Sequence, residues 1–308
     1  MIPTLDIIIV NWNSGNLLSK CINSINNATD NSFGLNRVVI IDNSSKDGSL
    51  ENFENINLPL TIIKNVQNLG FAKACNQGAK ESQADYLLFL NPDTSLFKNS
   101  LKEPITFMQR IKNKYIGIIG IQLIDEMNNV SRTCSRYPNA FSLVYMSLGL
   151  DRLFPKIFPG HFMTDWDHKE SKTVDQVMGA FFCVRRNLFE KLIGFDERFF
   201  VYFEDLDFSL RSNEYGFKSY YLATAQIYHK GGGTSEKIKA ERLFYILRSK
   251  LIFCKKHFSA LSFLLIFLVT ILFEPVARIF GAFFKGSFQE VREIVKGYKK
   301  LFLIVFHK

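Results

Sequence analysis

The sequence predicts an α/β fold with a helical C-terminal extension, and three observations lead there. Through residue 125, short apolar runs bounded by Asn, Asp and Gly alternate with segments of helical spacing, the rhythm of βα units. Two acidic clusters, at 91–93 and 204–207, follow apolar or aromatic stretches, and an α/β sheet places its ligands at the carboxyl ends of strands. Residues 237–308 hold fourteen Lys or Arg against four Asp or Glu, so the tail accounts for the whole formal charge of +9.

Strands are expected near 5–10, 37–41, 60–63, 85–90 and 116–121. Helices are expected over 17–26, 48–53, 71–81 and 101–112, each opening near a Ser, Asp, Asn or Gly suited to a cap. Residues 126–172 lose the pattern, carry Arg132, Arg136 and three prolines, and read as a partly ordered excursion over one face, a common place for substrate contacts. Order returns with 174–184, a strand-like run interrupted by Gly179. A helix from Asn187, a second over 204–215 and a strand over 218–222 close the block. After His229 and Gly231-Gly232-Gly233 the chain turns helical and basic as far as Lys256. The expected division is a body at 1–235 and a basic, apolar helical tail at 236–308.

With 308 residues, 47% hydrophobic and 22% charged, the chain has ample material for a core, and disorder is excluded. Its 31 Phe exceed what a soluble core calls for. From 257 to 273 come seventeen uncharged residues, short of the ~20 that span a bilayer, so a full crossing is not favoured. The last segment sets Phe288, Val291, Ile294, Val295, Tyr298, Leu301, Phe302 and Val305 on one helical face and Glu290, Arg292, Glu293, Lys296, Lys299 and Lys300 on the other. A core-packing helix gives such a stripe; beside the apolar run and the charge, an interfacial helix is the favoured reading. A nucleic-acid binder would spread its charge over the folded body, so an anionic membrane surface or a phosphate-rich substrate is expected and nucleic acid is not. Five scattered cysteines, none in a CxxC pair, suggest neither a disulfide framework nor a zinc site. No basic stretch precedes an apolar one at the N-terminus, so a cytoplasmic body is expected.

Asp93 follows the run Tyr86-Leu87-Leu88-Phe89-Leu90 and Asn91-Pro92, which sets its carboxylate at a strand mouth, where it could share a divalent cation with a diphosphate. Asn-Pro-Asp is equally an ordinary turn. In Glu204-Asp205-Leu206-Asp207 there are more carboxylates than capping needs, and the aromatic stretch before them offers the partial desolvation that suits a general base. His229 is either a structural histidine or half of a metal pair with an Asp from another strand.

The runs Ile7-Ile8-Ile9-Val10-Asn11-Trp12-Asn13, Val39-Ile40-Ile41-Asp42-Asn43-Ser44-Ser45-Lys46-Asp47-Gly48, Asn68-Leu69-Gly70-Phe71-Ala72, Asn91-Pro92-Asp93, Gly179-Ala180 and Glu204-Asp205-Leu206-Asp207 occur in unbroken order over residues 5–250. Together they resemble family 2 glycosyltransferases, most of all the rhamnosyltransferase-like branch. The resemblance implies a GT-A fold with a mostly parallel mixed sheet flanked by helices. It also implies a nucleoside-diphosphate sugar donor, Mg²⁺ or Mn²⁺, and inversion at the anomeric carbon. On that pattern Val10, Trp12, Asp42, Asn68, Phe71 and Asn76 hold the nucleotide, and Asp93, with Asn91 and His229, holds the metal. Asp205 is the base, while Glu204, Gly179 and Arg132 meet the acceptor. Many relatives carry Asp-x-Asp where this chain has Asn91-Pro92-Asp93, which leaves one carboxylate at the metal.

The resulting expectation is transfer of L-rhamnose from dTDP-rhamnose to a polyprenyl-diphosphate-linked or polysaccharide glycan at the cytoplasmic face of the membrane. Lys237, Arg242, Arg248 and Lys250 are further candidates to grip a diphosphate, or form a solvated helix face. The alternative is a catalytically silent sugar-nucleotide-binding scaffold in a polysaccharide assembly complex. A nicotinamide-dependent oxidoreductase is set aside, because no G-x-G-x-x-G follows the first strand.

Overall fold

The uninterrupted apolar runs of the N-terminal half become parallel strands covered on both faces in the computed structural model, which describes residues 2–51, 57–231 and 238–306. In chain order the elements begin β1 (Thr4–Asn11), α1 (Asn16–Ala28), β2 (Gly34–Asp42), β3 (Leu60–Lys64), α2 (Phe71–Ala79), β4 (Tyr86–Leu90), β5 (Thr94–Leu96), α3 (Lys102–Gln109) and β6 (Ile116–Ile124). There follow α4 (Ala140–Ser147), α5 (Leu150–Leu153), β7 (Lys172–Val174), β8 (Phe181–Arg185), α6 (Arg186–Lys191), α7 (Glu204–Glu214) and β9 (Lys218–His229). The tail helices are α8 (Lys239–His257), α9 (Ala260–Leu268), α10 (Glu274–Phe284) and α11 (Phe288–Phe306).

Met1–Arg136, Phe162–Glu197 and Glu204–Thr234 form one unit; Tyr137–His161, Arg198–Phe203 and Ser235–Lys308 form the other. Two segments inside the expected body thus cluster with the tail, and the expected excursion contributes α4 and α5 to it.

In the first unit the sheet runs β3-β2-β1-β4-β8-β6-β9-β5, with β7 also paired to β9. The strands β3, β2, β1 and β4 are parallel, β8 is antiparallel between β4 and β6, and β9 is again parallel to β6. The carboxyl ends of β1, β2, β4 and β9 therefore share one edge. Strand alternation divides the core: Ile7, Ile9, Leu88 and Leu90 pack with Leu18, Cys21 and Ile22 of α1, and Ile8, Ile41, Leu87 and Phe89 with Ala72 and Cys75 of α2. At Gly78 a Cβ would stand 2.5 Å from Ile8 Cγ2, so glycine lets α2 lie close on the sheet.

Several expectations are corrected. Residues 48–51 form a turn, not a helix, with Gly48 at φ +71°; the rest of that expected helix, 52 and 53, lies outside the described residues. The run 174–184 is two strands with different partners, because β7 joins β9 while β8 lies between β4 and β6. Strand β9 continues past 222 to His229, absorbing a register shift opposite Ile121/Gln122.

The tail has its own core, in which Phe244, Leu247 and Leu251 of α8 meet Ile294, Tyr298 and Leu301 of α11. Ile294, Tyr298 and Leu301 of the α11 stripe are thus occupied internally, while Phe288 and Val295 of the same stripe are exposed. The apolar stretch also does not end at Phe273. A continuous helix covers Ala260–Phe284, with a π-helical stretch at Val269–Phe273, and among the described residues it is long and apolar enough to cross a membrane. It continues through Glu274 because that carboxylate is neutralised inside the tail by Lys250 Nζ (2.5 Å) and Arg278 Nη2 (2.8 Å).

Candidate active site

The parallel register places Asn11 beside Asp42, the last residues of β1 and β2. Asn11 Nδ2 donates to Asp42 Oδ1 (2.8 Å) and to Ser49 Oγ (2.8 Å), and the Ser45 N–H donates to Asp42 Oδ2 (3.2 Å). The loops after the two strands are knitted further by Asn13 N–H to Ser45 Oγ (2.9 Å) and Gly15 N–H to Asp47 Oδ2 (2.7 Å). A buried acceptor is thereby fixed at the mouth, with lone pairs left over for a donor such as a base imide. Val10 is buried in the α2-side core and Trp12 is half-buried.

Asn68 Oδ1 accepts from the Gly70 N–H (2.9 Å), and Asn43 Nδ2 donates to the Gly70 carbonyl (3.1 Å). Gly70, at φ +86°, then turns the chain into α2 at Phe71, which is half-buried. Asn76 lies farther along α2 and braces the fold there. Its Nδ2 donates to the Phe195 carbonyl (2.8 Å), while Oδ1 accepts from the Phe195 N–H (2.9 Å).

Pairing of β5 with β9 puts Thr94 opposite His229, which delivers Asp93 Oδ1 to 3.3 Å from His229 Nε2, both side chains 9% exposed. Among the described residues no group of three or more His, Cys, Asp or Glu assembles, so those residues offer a carboxylate and an imidazole here. Carboxylate plus imidazole is a donor pair that fits a divalent cation. Asn91 shapes the turn: its N–H donates to the Ala180 carbonyl (3.0 Å) and its carbonyl accepts from Thr94 Oγ1 (2.7 Å).

That contact ties the turn to the segment holding the second acidic cluster. Gly179, next to Ala180, donates its N–H to Asp205 Oδ2 (2.9 Å), Gln176 Nε2 donates to the same oxygen (2.9 Å), and the Leu206 N–H donates to Oδ1 (2.8 Å). A continuous set of contacts thus runs from Asp205 through Gly179-Ala180 and Asn91 to Asp93 and His229. Burial raises the Asp205 pKa, opposed by the Gly179, Leu206 and Gln176 hydrogen bonds. The neighbouring Glu204 is buried, its Oε2 has no hydrogen-bond partner among the described residues, and burial followed by the Asp205 charge pushes its pKa well above the carboxylate range.

The third acid of the cluster has a structural role. Asp207 Oδ2 accepts from Arg211 Nε (2.8 Å), and the same guanidinium donates to the Leu192 (2.8 Å) and Gly194 (2.9 Å) carbonyls. Arg132 is exposed and donates to the Thr164 carbonyl; no hydrogen bond or ion pair among the described residues joins it to Glu204 or Asp205. In the tail, Lys250 is buried on Glu274 and so is not free to grip a diphosphate, while Arg248 is half-buried and donates one N–H to the Arg198 carbonyl (3.1 Å). Lys237, Gly232 and Gly233 lie outside the described residues.

Sequence reasoning gives no role to Gln176 or Asn11. Asn11 stands inside a recognisable motif and is legible as a strand-end polar residue; Gln176, 29 positions from Asp205, carries no signal.

Known proteins place this arrangement in a wider set. The family model described as "Glycosyl transferase family 2" matches residues 6–192. An N-acetylglucosaminyl-diphospho-decaprenol L-rhamnosyltransferase of Mycobacterium tuberculosis is 24% identical over 280 residues, covering 84% of this chain and 86% of the relative. Among solved structures, the mannosyltransferase PcManGT from Pyrobaculum calidifontis in complex with GDP-Man and Mn²⁺ aligns with a TM-score of 0.57 at 14% identity, covering 98% of this chain and 81% of that one. S. aureus TarS 1-349 in complex with UDP-GlcNAc aligns with a TM-score of 0.55 at 16% identity, with the same two coverages. The fold is thus GT-A-like.

Proposed function

Because the chain belongs to glycosyl transferase family 2 and is a glycosyltransferase, we propose that it inverts configuration while moving L-rhamnose from dTDP-rhamnose to a hydroxyl of a polyprenyl-diphosphate-linked glycan. The observation that carries this reading is the Asp205 carboxylate, held by three donors and linked through Gly179-Ala180 to the Asp93–His229 pair. The M. tuberculosis relative, named for rhamnosyl transfer to a decaprenyl-linked sugar, supports the choice of donor and acceptor.

Asp205 takes the acceptor hydroxyl proton as that oxygen forms its bond to the anomeric carbon, and the bond from that carbon to the diphosphate oxygen breaks on the opposite face. Partial burial makes the carboxylate a better base than one in water. Asp42 and Asn11 bind and orient the nucleotide, and Gly179-Ala180 carries the base at a fixed offset from the Asp93 turn. Asp93 and His229 would hold Mg²⁺ or Mn²⁺, which when bound offsets charge on the leaving diphosphate.

The tail supports a membrane-surface location at the cytoplasmic face. Leu264, Leu268, Leu272, Phe280, Phe283 and Phe284 of the Ala260–Phe284 helix are exposed, and an apolar groove of about 580 Å³ is lined by Pro275, Ile279, Ile294, Val295, Phe302 and Leu303. Cations along the tail suit an anionic lipid surface.

The test titrates purified chain with dTDP, UDP and GDP sugars in Mn²⁺, following thermal stability and donor consumption. Selective stabilisation by dTDP-rhamnose, lost in Asp42→Ala and Asp93→Ala, is the expected result. Folded protein that responds to no sugar nucleotide would overturn the reading and favour the silent scaffold.

A further inference from the structure

Two of the three donors on Asp205, the Gly179 and Leu206 N–H groups, belong to the backbone. The third is a side chain with no freedom to wander. Gln176 is 8% exposed, and its backbone is locked to Ser135 by a reciprocal pair of hydrogen bonds, each 3.1 Å. From that anchor its Nε2 reaches Asp205 Oδ2 at 2.9 Å.

Resting on the reading of Asp205 as the base, we propose that Gln176 is a positioning residue that orients this carboxylate and favours its ionised form. Burial disfavours the charged form of Asp205, and the hydrogen bonds it accepts oppose that. Glu204 precedes it and Asp207 lies on the same helix, with Arg211 committed to Asp207; no cation contacts Asp205 among the described residues. From the segment before β8 only neutral donors face it, Gln176 and the Gly179 N–H. A donor to the charged form opposes burial, so Asp205 ionises at lower pH than it otherwise would. The two donors on Oδ2 also fix the carboxylate plane, which a proton transfer requires.

The experiment compares wild-type, Gln176→Leu, Gln176→Glu and Asp205→Asn full-length chains. Leucine removes the donor at similar size, and glutamate replaces it with an acid. Two quantities are read: the Asp205 titration midpoint, by carbon NMR of ¹³C-Asp-labelled protein with Asp205→Asn identifying the signal, and kcat and KM for transfer from dTDP-rhamnose to prenyl-diphosphate-linked N-acetylglucosamine. Gln176→Leu should raise the midpoint by about 1 in pH and lower kcat about tenfold with donor KM unchanged. Gln176→Glu should raise the midpoint further and move the acid limb of the rate profile with it. A purely structural Gln176 would alter thermal stability and leave midpoint and acid limb in place, which overturns the proposal. Full turnover by Asp205→Asn would overturn the base reading, and this proposal with it; an inactive Asp205→Asn beside unchanged Gln176 variants overturns this proposal alone.

Discussion

Glu204 at the sheet mouth and Glu274 in the tail are both almost wholly buried, 5% and 1% exposed, yet their surroundings are opposite. Glu274 is held between Lys250 and Arg278. Burial works to raise its pKa, but those charges outweigh burial and hold it below the ordinary carboxylate range. Glu204 has acids for neighbours, Asp205 and Asp207, and one carboxyl oxygen without a hydrogen-bond partner among the described residues. The tail's carboxylate is compensated where it lies, as buried structural ions must be. Glu204 is left uncompensated beside Asp205, a condition a fold tolerates where the groups have chemistry to perform.

If that contrast is sound, substitutions at the mouth should cost activity and substitutions in the tail should cost stability. The largest effect is expected for Asp205→Asn: a kcat loss of roughly a hundredfold or more with thermal stability retained, read by steady-state kinetics beside a melting curve. Next is Glu274→Gln, which strands the buried Lys250 and leaves the half-buried Arg278 without its carboxylate, and should destabilise the tail by about 3 kcal/mol in denaturant titration. Loss of activity without loss of stability in Glu274→Gln would break the comparison from the tail side.

Glu204→Gln should gain about 1 kcal/mol of stability at neutral pH. The sign follows from linkage. A carboxyl whose folded pKa is raised contributes stability below its unfolded value of ~4.3, and that stability is lost as pH rises through the folded pKa. Glu274, with a lowered folded pKa, contributes stability above ~4.3 that is lost as pH falls through its folded pKa. Melting temperatures of Glu204→Gln and Glu274→Gln, each measured against wild type from pH 4 to 8, should therefore diverge in opposite directions. Parallel curves would remove the electrostatic distinction.

The strands β1, β2, β4 and β6 were legible because parallel strands covered on both faces read as unbroken apolar runs. The same logic misled where a local signal had a second meaning. Asp47-Gly48 looks like a helix opening, but Asp47 serves the Gly15 N–H and the segment is a turn. Glu274 looks like the end of an apolar run, since nothing local reveals that Lys250, 24 residues earlier, neutralises it. The stripe on α11 has the same spacing whether it faces lipid or α8, and it is the packing that assigns Ile294, Tyr298 and Leu301 to the tail core. At the site, Asp42, Asp93, Asp205 and His229 stand out as acids or imidazoles at strand ends. Their adjacency, by contrast, depends on the register of β5 with β9 and on the Asn91–Ala180 contact, which is long-range information.

The smallest predicted effect tests how closely the mouth is built. A Cβ on Gly179 would stand 3.3 Å from Asp205 Oδ2, the oxygen its own N–H already holds at 2.9 Å. Gly179 is not among the glycines with positive φ, so alanine brings no backbone strain, and its whole effect falls on the carboxylate. Contact at that distance obliges Asp205 to move by a few tenths of an ångström while keeping its charge and its other donors. Gly179→Ala should therefore lower kcat by about threefold to tenfold and leave donor KM and melting temperature unchanged, well short of Asp205→Asn. A loss as large as that of Asp205→Asn would mean that the glycine itself borders substrate, so that the compressed contact reports sugar binding and not base alignment.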